Sequence, residues 1–211
     1  MRKLERGPAP VCLSRYRHGA HNWNDLTADD KKEIWQKLEA MQQQHCAYCE
    51  GSMRAGKRHI EHFRQKGRDP IVTFLWPNLF GSCNHVKSCG KYKDELPPYN
   101  PADLIKPDEE DPEHFFVFVS DGSVAVRAGL TAMETRRAHE TIRILNLNGV
   151  LRAMRHSAIA PYVDQGLEIM QMEMSGEWTR KDSIAYLKEE LTRTENHPFS
   201  TAIRHTLMPT I

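Results

Sequence analysis

CAYC at residues 46–49, HIEHF at 59–63 and CNHVKSC at 83–89 decide how this chain is read. Cys46 and Cys49 form a C-x2-C pair, and Cys83 and Cys89 form a wider C-x5-C pair. Two thiolates from each of two turns place four sulfurs tetrahedrally around Zn2+, with bonds of roughly 2.3 Å. Gly90, directly after Cys89, suits a knuckle turn. The competing reading is a set of partly buried free thiols. Zinc closed by four cysteines has no open position and cannot activate water, so its role is structural. The segment between the outer cysteines is too short to build much of a core, and there a metal supplies folding free energy of order 10 kcal/mol. Cys12, the fifth cysteine, is assigned only to packing.

If zinc is satisfied by sulfur, HIEHF is free for another task. As a strand it points His59, Glu61 and Phe63 to one face and Ile60 and His62 to the other. A carboxylate can hold a hard divalent cation, and a nearby imidazole titrating near neutrality can take a proton from water. A cation so placed stabilises charge developing on a phosphate.

The charge distribution points the same way. Residues 46–93 carry nine basic and three acidic side chains, a net +6, whereas the whole chain is +1. A positive field concentrated on the candidate chemistry suits a phosphate-bearing partner. Arg64, Lys66, Lys87, Lys91 and Lys93 are the candidate nucleic-acid contacts, with Arg68 beside them. Trp76 and Phe80 are read as core of the small module.

The 211 residues are 39% hydrophobic and 27% charged, as in soluble globular proteins. No apolar run approaches the roughly 18 to 20 residues of a membrane span, and MRKLERGPAP lacks the apolar stretch of a signal peptide. A cytoplasmic location is therefore expected, where reduced cysteines favour metal ligation over disulfides.

Three segments are expected: 1–45, an N-terminal arm and a helix; 46–95, the zinc module; and 96–211, a linker, hairpin and helical region. Residues 1–25 show no period and read as an extended arm or lead-in segment, suited equally to docking or to scaffold. TADDKKEIWQKLEAMQQQ (27–44) opens on Thr27 as cap and carries Ile34, Trp35, Leu38 and Met41 on one face, which predicts a helix. The five prolines of residues 97–114 predict a loop. FFVFVSDGSVAVRA (115–128) alternates about an Asp-Gly turn, a hairpin signal. Helices are predicted at 131–147, at 148–174 with a break or kink at Pro161, at 179–194 and at 199–207. The fold class is thus α+β: a small zinc-stabilised ββα module, a mainly α-helical remainder and one β-hairpin.

C-x2-C, then HIEHF, then WPNLF (76–80), then two cysteines followed by GKYK resembles the ββα-metal fold of HNH endonucleases over residues 46–93. The resemblance implies a phosphodiesterase with His62 as general base and Glu61 as ligand of a catalytic Mg2+ or Mn2+. It implies Asn78 as the motif asparagine that braces the loop, and lets His59 share the metal or contact phosphate. Gly90 departs from the pattern, which places a ligating His or Asn after the last cysteine; His59, Asn84 and His85 are the candidate substitutes. The opening residues with HIEHF, NLFGSC and CGKYKD are similar to the nuclease subunit of Septu anti-phage systems and retron-associated effectors (PtuB-like). That resemblance implies nucleic acid as substrate, DNA ahead of RNA, and an ABC-type ATPase partner (PtuA-like). The alternatives are a non-catalytic zinc module that binds nucleic acid or protein and, less favoured, a zinc that is itself catalytic.

Overall fold

The computed structural model describes residues 1–54 and 56–208; Ala55 and the last three residues of the expected C-terminal region lie outside them. Helix α1 (Ala28–Gln42) starts where the Thr27 hydroxyl accepts from the Asp30 N–H, while the Asp30 carboxylate accepts from the Thr27 N–H at 2.9 Å. This reciprocal cap satisfies two otherwise unpaired donors. The helix buries Ile34, Leu38 and Met41, and ends at Gln43 in the left-handed region with φ 50°. Its last residue, Gln42, is buried, accepts from the Gly81 N–H at 2.7 Å and donates to the Gly81 carbonyl at 2.9 Å.

Gln42 thereby docks α1 on a two-stranded antiparallel sheet. Strand β1 (Arg58–His62) pairs with β2 (Leu79–Cys83), setting Glu61 opposite Phe80 and His62 opposite Leu79. Helix α2 (Cys89–Glu95) packs back on β2 and completes the ββα unit. The zinc-module fold expected from the three motifs is therefore the fold observed.

The N-terminal arm is not extended. Residues Val11–Arg15 and Trp23–Asp25 form 3-10 turns, and Met1, Leu4, Cys12 and Leu13 are buried. Arg6 donates to the carbonyls of Trp76 at 2.8 Å and Leu79 at 3.0 Å, pairs with Asp108 at 2.5 Å, and stacks over Trp76 and Phe80. Apolar residues in an irregular segment show no period, so the sequence hides that they reach the core.

After a one-turn helix α3 (Pro112–Phe115), strands β3 (Phe116–Phe118) and β4 (Val124–Val126) form the expected hairpin about Asp121 and Gly122. Gly122 has φ 81°, and a Cβ there would lie 2.7 Å from the His156 nitrogen, so glycine serves both turn and packing. Helices α4 (Ala132–Ile144), α5 (Val150–Ser175), α6 (Arg180–Thr194) and α7 (Ser200–Leu207) follow. The predicted break at Pro161 does not occur: α5 runs through it. Proline removes one backbone donor and crowds the carbonyl four residues back, and the remaining turns of this 26-residue helix carry the chain past it.

The helical region grips the zinc module at two points. The Leu145 carbonyl beyond α4 accepts from the Cys89 N–H at 2.9 Å, and the buried Glu50 carboxylate accepts from the Thr201 N–H of α7 at 3.1 Å. The buried apolar residues form one contiguous core across all three segments. Among the described residues no helix is long and apolar enough to cross a membrane.

Candidate metal centre and active site

Cys46, Cys49, Cys83 and Cys89 converge with their sulfurs within 4.8 Å of one another, and none is in a disulfide. A tetrahedron with 2.3 Å bonds has edges of roughly 3.8 Å, so modest contraction fits Zn2+. The electrostatics ask for a cation. Burial alone raises the Cys46 thiol, yet hydrogen bonds from Cys49, Cys83 and Cys89 bring it well below its ordinary value. Cys49 and Cys89, each bonded to Cys46, are pushed well above theirs. Four sulfurs this close cannot all be thiolates without a counter-ion, and the cluster is consistent with a structural Zn2+ that would supply the missing charge. Cys12 is buried apart from the cluster, its thiol donating to the Asp30 carbonyl at 3.6 Å.

The alternation read from HIEHF is observed. On one face, His59 Nε2 lies 3.1 Å from Glu61 Oε2, and His59 Nδ1 lies 2.9 Å from the Asn84 side-chain oxygen. Glu61 is 1% exposed, and its other oxygen lies 2.7 Å from Lys93 Nζ. Lys93 is fully buried; it donates to the His62 carbonyl at 3.0 Å and to Asp94 at 3.0 Å. Burial alone would push the ammonium down, but the Glu61 carboxylate holds it above its ordinary value. Lys93 is therefore not a phosphate contact on the surface. The ion pair consumes its charge, and its place one turn after Cys89 puts it on the buried stripe of α2.

Gly90 is not a vacant ligand position. A Cβ there would lie 2.5 Å from Glu61 Cδ and 3.0 Å from Cγ, and closer still to Oε2. The Glu61 carboxylate fills the space that a side chain at position 90 would need. Of the three candidate substitutes, His59 contacts Glu61 and is in turn bonded to Asn84; His85 stays in the knuckle loop, its Nδ1 accepting from the Lys87 N–H at 3.3 Å.

His62 faces the other way. Its Nε2 is 3.1 Å from the Thr73 carbonyl, and Trp23 meets the ring edge-on at 4.4 Å between centroids. A carbonyl only accepts, so Nε2 carries the proton and Nδ1 keeps a lone pair. Nδ1 makes no hydrogen bond among the described residues. Burial, then the nearby Lys66, push His62 down to about 4, which leaves it neutral at pH 7. It lines a cleft of about 370 Å3 with Gln65, Lys66, Gly67, Arg68 and Asp94.

Asn78 sits behind the loop that follows β1. Its side-chain oxygen accepts from the Arg64 N–H at 2.8 Å, and its amide donates to the carbonyls of Arg64 at 3.0 Å and Val72 at 3.2 Å. It thus ties the two ends of the loop that carries Thr73 to the end of β1.

The remaining cations divide. Lys66, Lys87 and Lys91 are exposed with no ion pair among the described residues, and only Lys66 lines the His62 cleft. Arg64 pairs with Asp69, and Arg68 donates to the Leu96 carbonyl while its guanidinium lies over Tyr99. Thr73 and Trp23 have no signature in the sequence, because a loop carbonyl and an aperiodic tryptophan become contacts of His62 only through the fold.

A ββα unit closed on four cysteines, with histidine and carboxylate on its first strand, is the architecture these residues define. No family model matches the chain. It is similar to a Vibrio cholerae (serotype O1 biovar El Tor) protein named "Retron Vc95 putative HNH endonuclease", with 26% identity over 183 residues covering 80% of this chain and 86% of the relative. The chain is thus a distant relative of a protein named as an HNH endonuclease.

Proposed function

We propose that this chain is a metal-dependent HNH endonuclease that hydrolyses nucleic-acid phosphodiester bonds. The observation that carries the reading is His62: its Nε2–H is fixed on Thr73, which leaves Nδ1 the lone pair, and the residue lines a cleft with Lys66, Arg68 and Asp94. Such a nitrogen can take a proton from water while the cations hold the phosphate. His59 Nε2 and Glu61 Oε2, 3.1 Å apart, would hold a divalent cation between them, and Asn84 would fix the imidazole plane. A Mg2+ or Mn2+ ion bound there would supply charge stabilisation to a phosphate lying across the end of β1, since Glu61 and His62 point to opposite faces of that strand. Zn2+ on Cys83 at the end of β2 and Cys89 at the start of α2 would tie together the two elements beside Glu61.

The proposal extends to an effector role in an anti-phage complex with an ABC-type ATPase. Support for this part is the retron in the relative's name and the resemblance of the opening and motif residues. A second reading, a zinc module that binds nucleic acid without cutting it, draws on one observation: Lys93 already neutralises Glu61 in a fully buried pair.

The test is cleavage of plasmid DNA and total RNA by the purified chain with Mg2+ or Mn2+, wild type beside His62→Ala, alone and with the co-purified ATPase. Loss of cutting in the variant, with zinc retained, is the expected result. Equal cutting by both removes His62 from the mechanism, and binding without cutting in every condition favours the second reading.

A further inference from the structure

Lys66 stands between two clefts. One is the His62 cleft already described; the other, of about 450 Å3, is walled by residues 18–24 of the N-terminal segment and closed by Lys66, Pro70 and Thr73. Thr73 belongs to both environments, since its carbonyl fixes His62. Trp23 also belongs to both, lining the second cleft while its ring touches His62 and stacks on Phe74 at 6.1 Å. An occupant of the second cleft would therefore lie one side chain away from the candidate base.

The lining has a definite chemistry. His18, His21, Asn22, Asn24 and Lys66 supply imidazole, amide and ammonium groups, and no carboxylate is among them. Lys66 has no ion pair among the described residues, so its charge is not consumed within the fold. Clefts of roughly 300–1,000 Å3 hold single small molecules, so one nucleotide fits and a duplex does not. Bases of an unpaired strand stack on aromatic rings with little regard to sequence.

We infer that residues 18–24 form the second wall of a substrate groove and bind the nucleotide next to the scissile phosphate, in an unpaired strand. The inference rests on the reading of the His62 cleft as the place of cleavage. The N-terminal segment, read from sequence as suited equally to docking or to scaffold, becomes part of the nucleic-acid surface.

The experiment uses the full zinc-loaded chain carrying His62→Ala. Fluorescence anisotropy measures Kd for a labelled single strand and for the duplex of the same sequence, and 5-iodouracil in the strand maps contacts by photocross-linking. Adding His18→Ala and His21→Ala is expected to weaken single-strand binding about fivefold to tenfold, comparable with Lys66→Ala, as loss of phosphate contacts does. Cross-links are expected on residues 18–24, and the duplex is expected to bind more weakly than the strand. Unchanged affinity in the histidine variant, with cross-links elsewhere and Lys66→Ala still impaired, overturns the inference and leaves the nuclease reading standing. Absence of both binding and cleavage in the wild type removes both.

Discussion

Gly90→Ala adds one methyl group at the most crowded point of the candidate site. Glycine 90 has no positive φ, so alanine brings no backbone strain, and in a helix it is favoured by about 0.5–1 kcal/mol. Against this, the new Cβ would lie 2.5 Å from Glu61 Cδ, while the carboxylate is held by Lys93 at 2.7 Å and His59 at 3.1 Å. Forcing a methyl into a packed interior costs about 1–3 kcal/mol. Swinging Glu61 away leaves Lys93 buried and unpaired, which costs about 3–5 kcal/mol. The cheaper route still leaves a net loss of about 1 kcal/mol once the helix gain is subtracted. Glu61→Asp, which retracts the carboxylate by one methylene, is expected to cost about 1 kcal/mol alone. The double variant is expected to be more stable than the sum of the two, with a coupling of at least about 1 kcal/mol. Urea denaturation at fixed zinc concentration gives all four stabilities. Wild-type stability in Gly90→Ala, or strict additivity in the double variant, would falsify the interlock of positions 61 and 90.

Cys46→Ser is expected to lose zinc and bring early melting, read by metal analysis beside thermal denaturation; a stable zinc-free variant refutes a structural metal. Lys93→Met strands the Glu61 charge and is expected to destabilise by about 3 kcal/mol, largely recovered by adding Glu61→Gln; no recovery means the pair is not the source of the loss. Glu113 joins α3 to Arg204 and His205 of α7. Burial opposes its ionisation, but bonds to His205 and Arg204 bring it down to about 2 from 4.5. A depressed carboxylate stabilises above its unfolded pKa, and that stability fades as pH falls through the folded value. The gap between wild type and Glu113→Gln, about 2–3 kcal/mol at neutral pH, is therefore expected to narrow from pH 5 downward. A constant gap in urea titrations contradicts the linkage.

Local signals were legible in the sequence. The cysteine spacings, the alternation of HIEHF, the caps at Thr27, Thr131 and Thr179, and the Asp-Gly turn each act within a few residues, and each appears in the fold. What stayed hidden depends on residues far apart in the chain. Gly90 read as a missing ligand because nothing local tells that Glu61 reaches its space. Lys93 read as a surface cation for the same reason, although its offset of one helical turn from buried Cys89 was a usable hint. The arm concealed its packing because 3-10 turns carry no hydrophobic period.

Cys89 has φ 55°, a left-handed conformation that a non-glycine residue enters at a cost, and its N–H is bonded to the Leu145 carbonyl. The aim of the fourth sulfur is thus set from outside the cysteine motif, by the end of α4. A truncation that removes the end of α4 removes that bond, and with it the Asn146 amide bond to the Lys87 carbonyl, from the start of α2. A fragment trimmed to residues 46–95 would keep every ligand of the metal and lose the clamp that orients one of them.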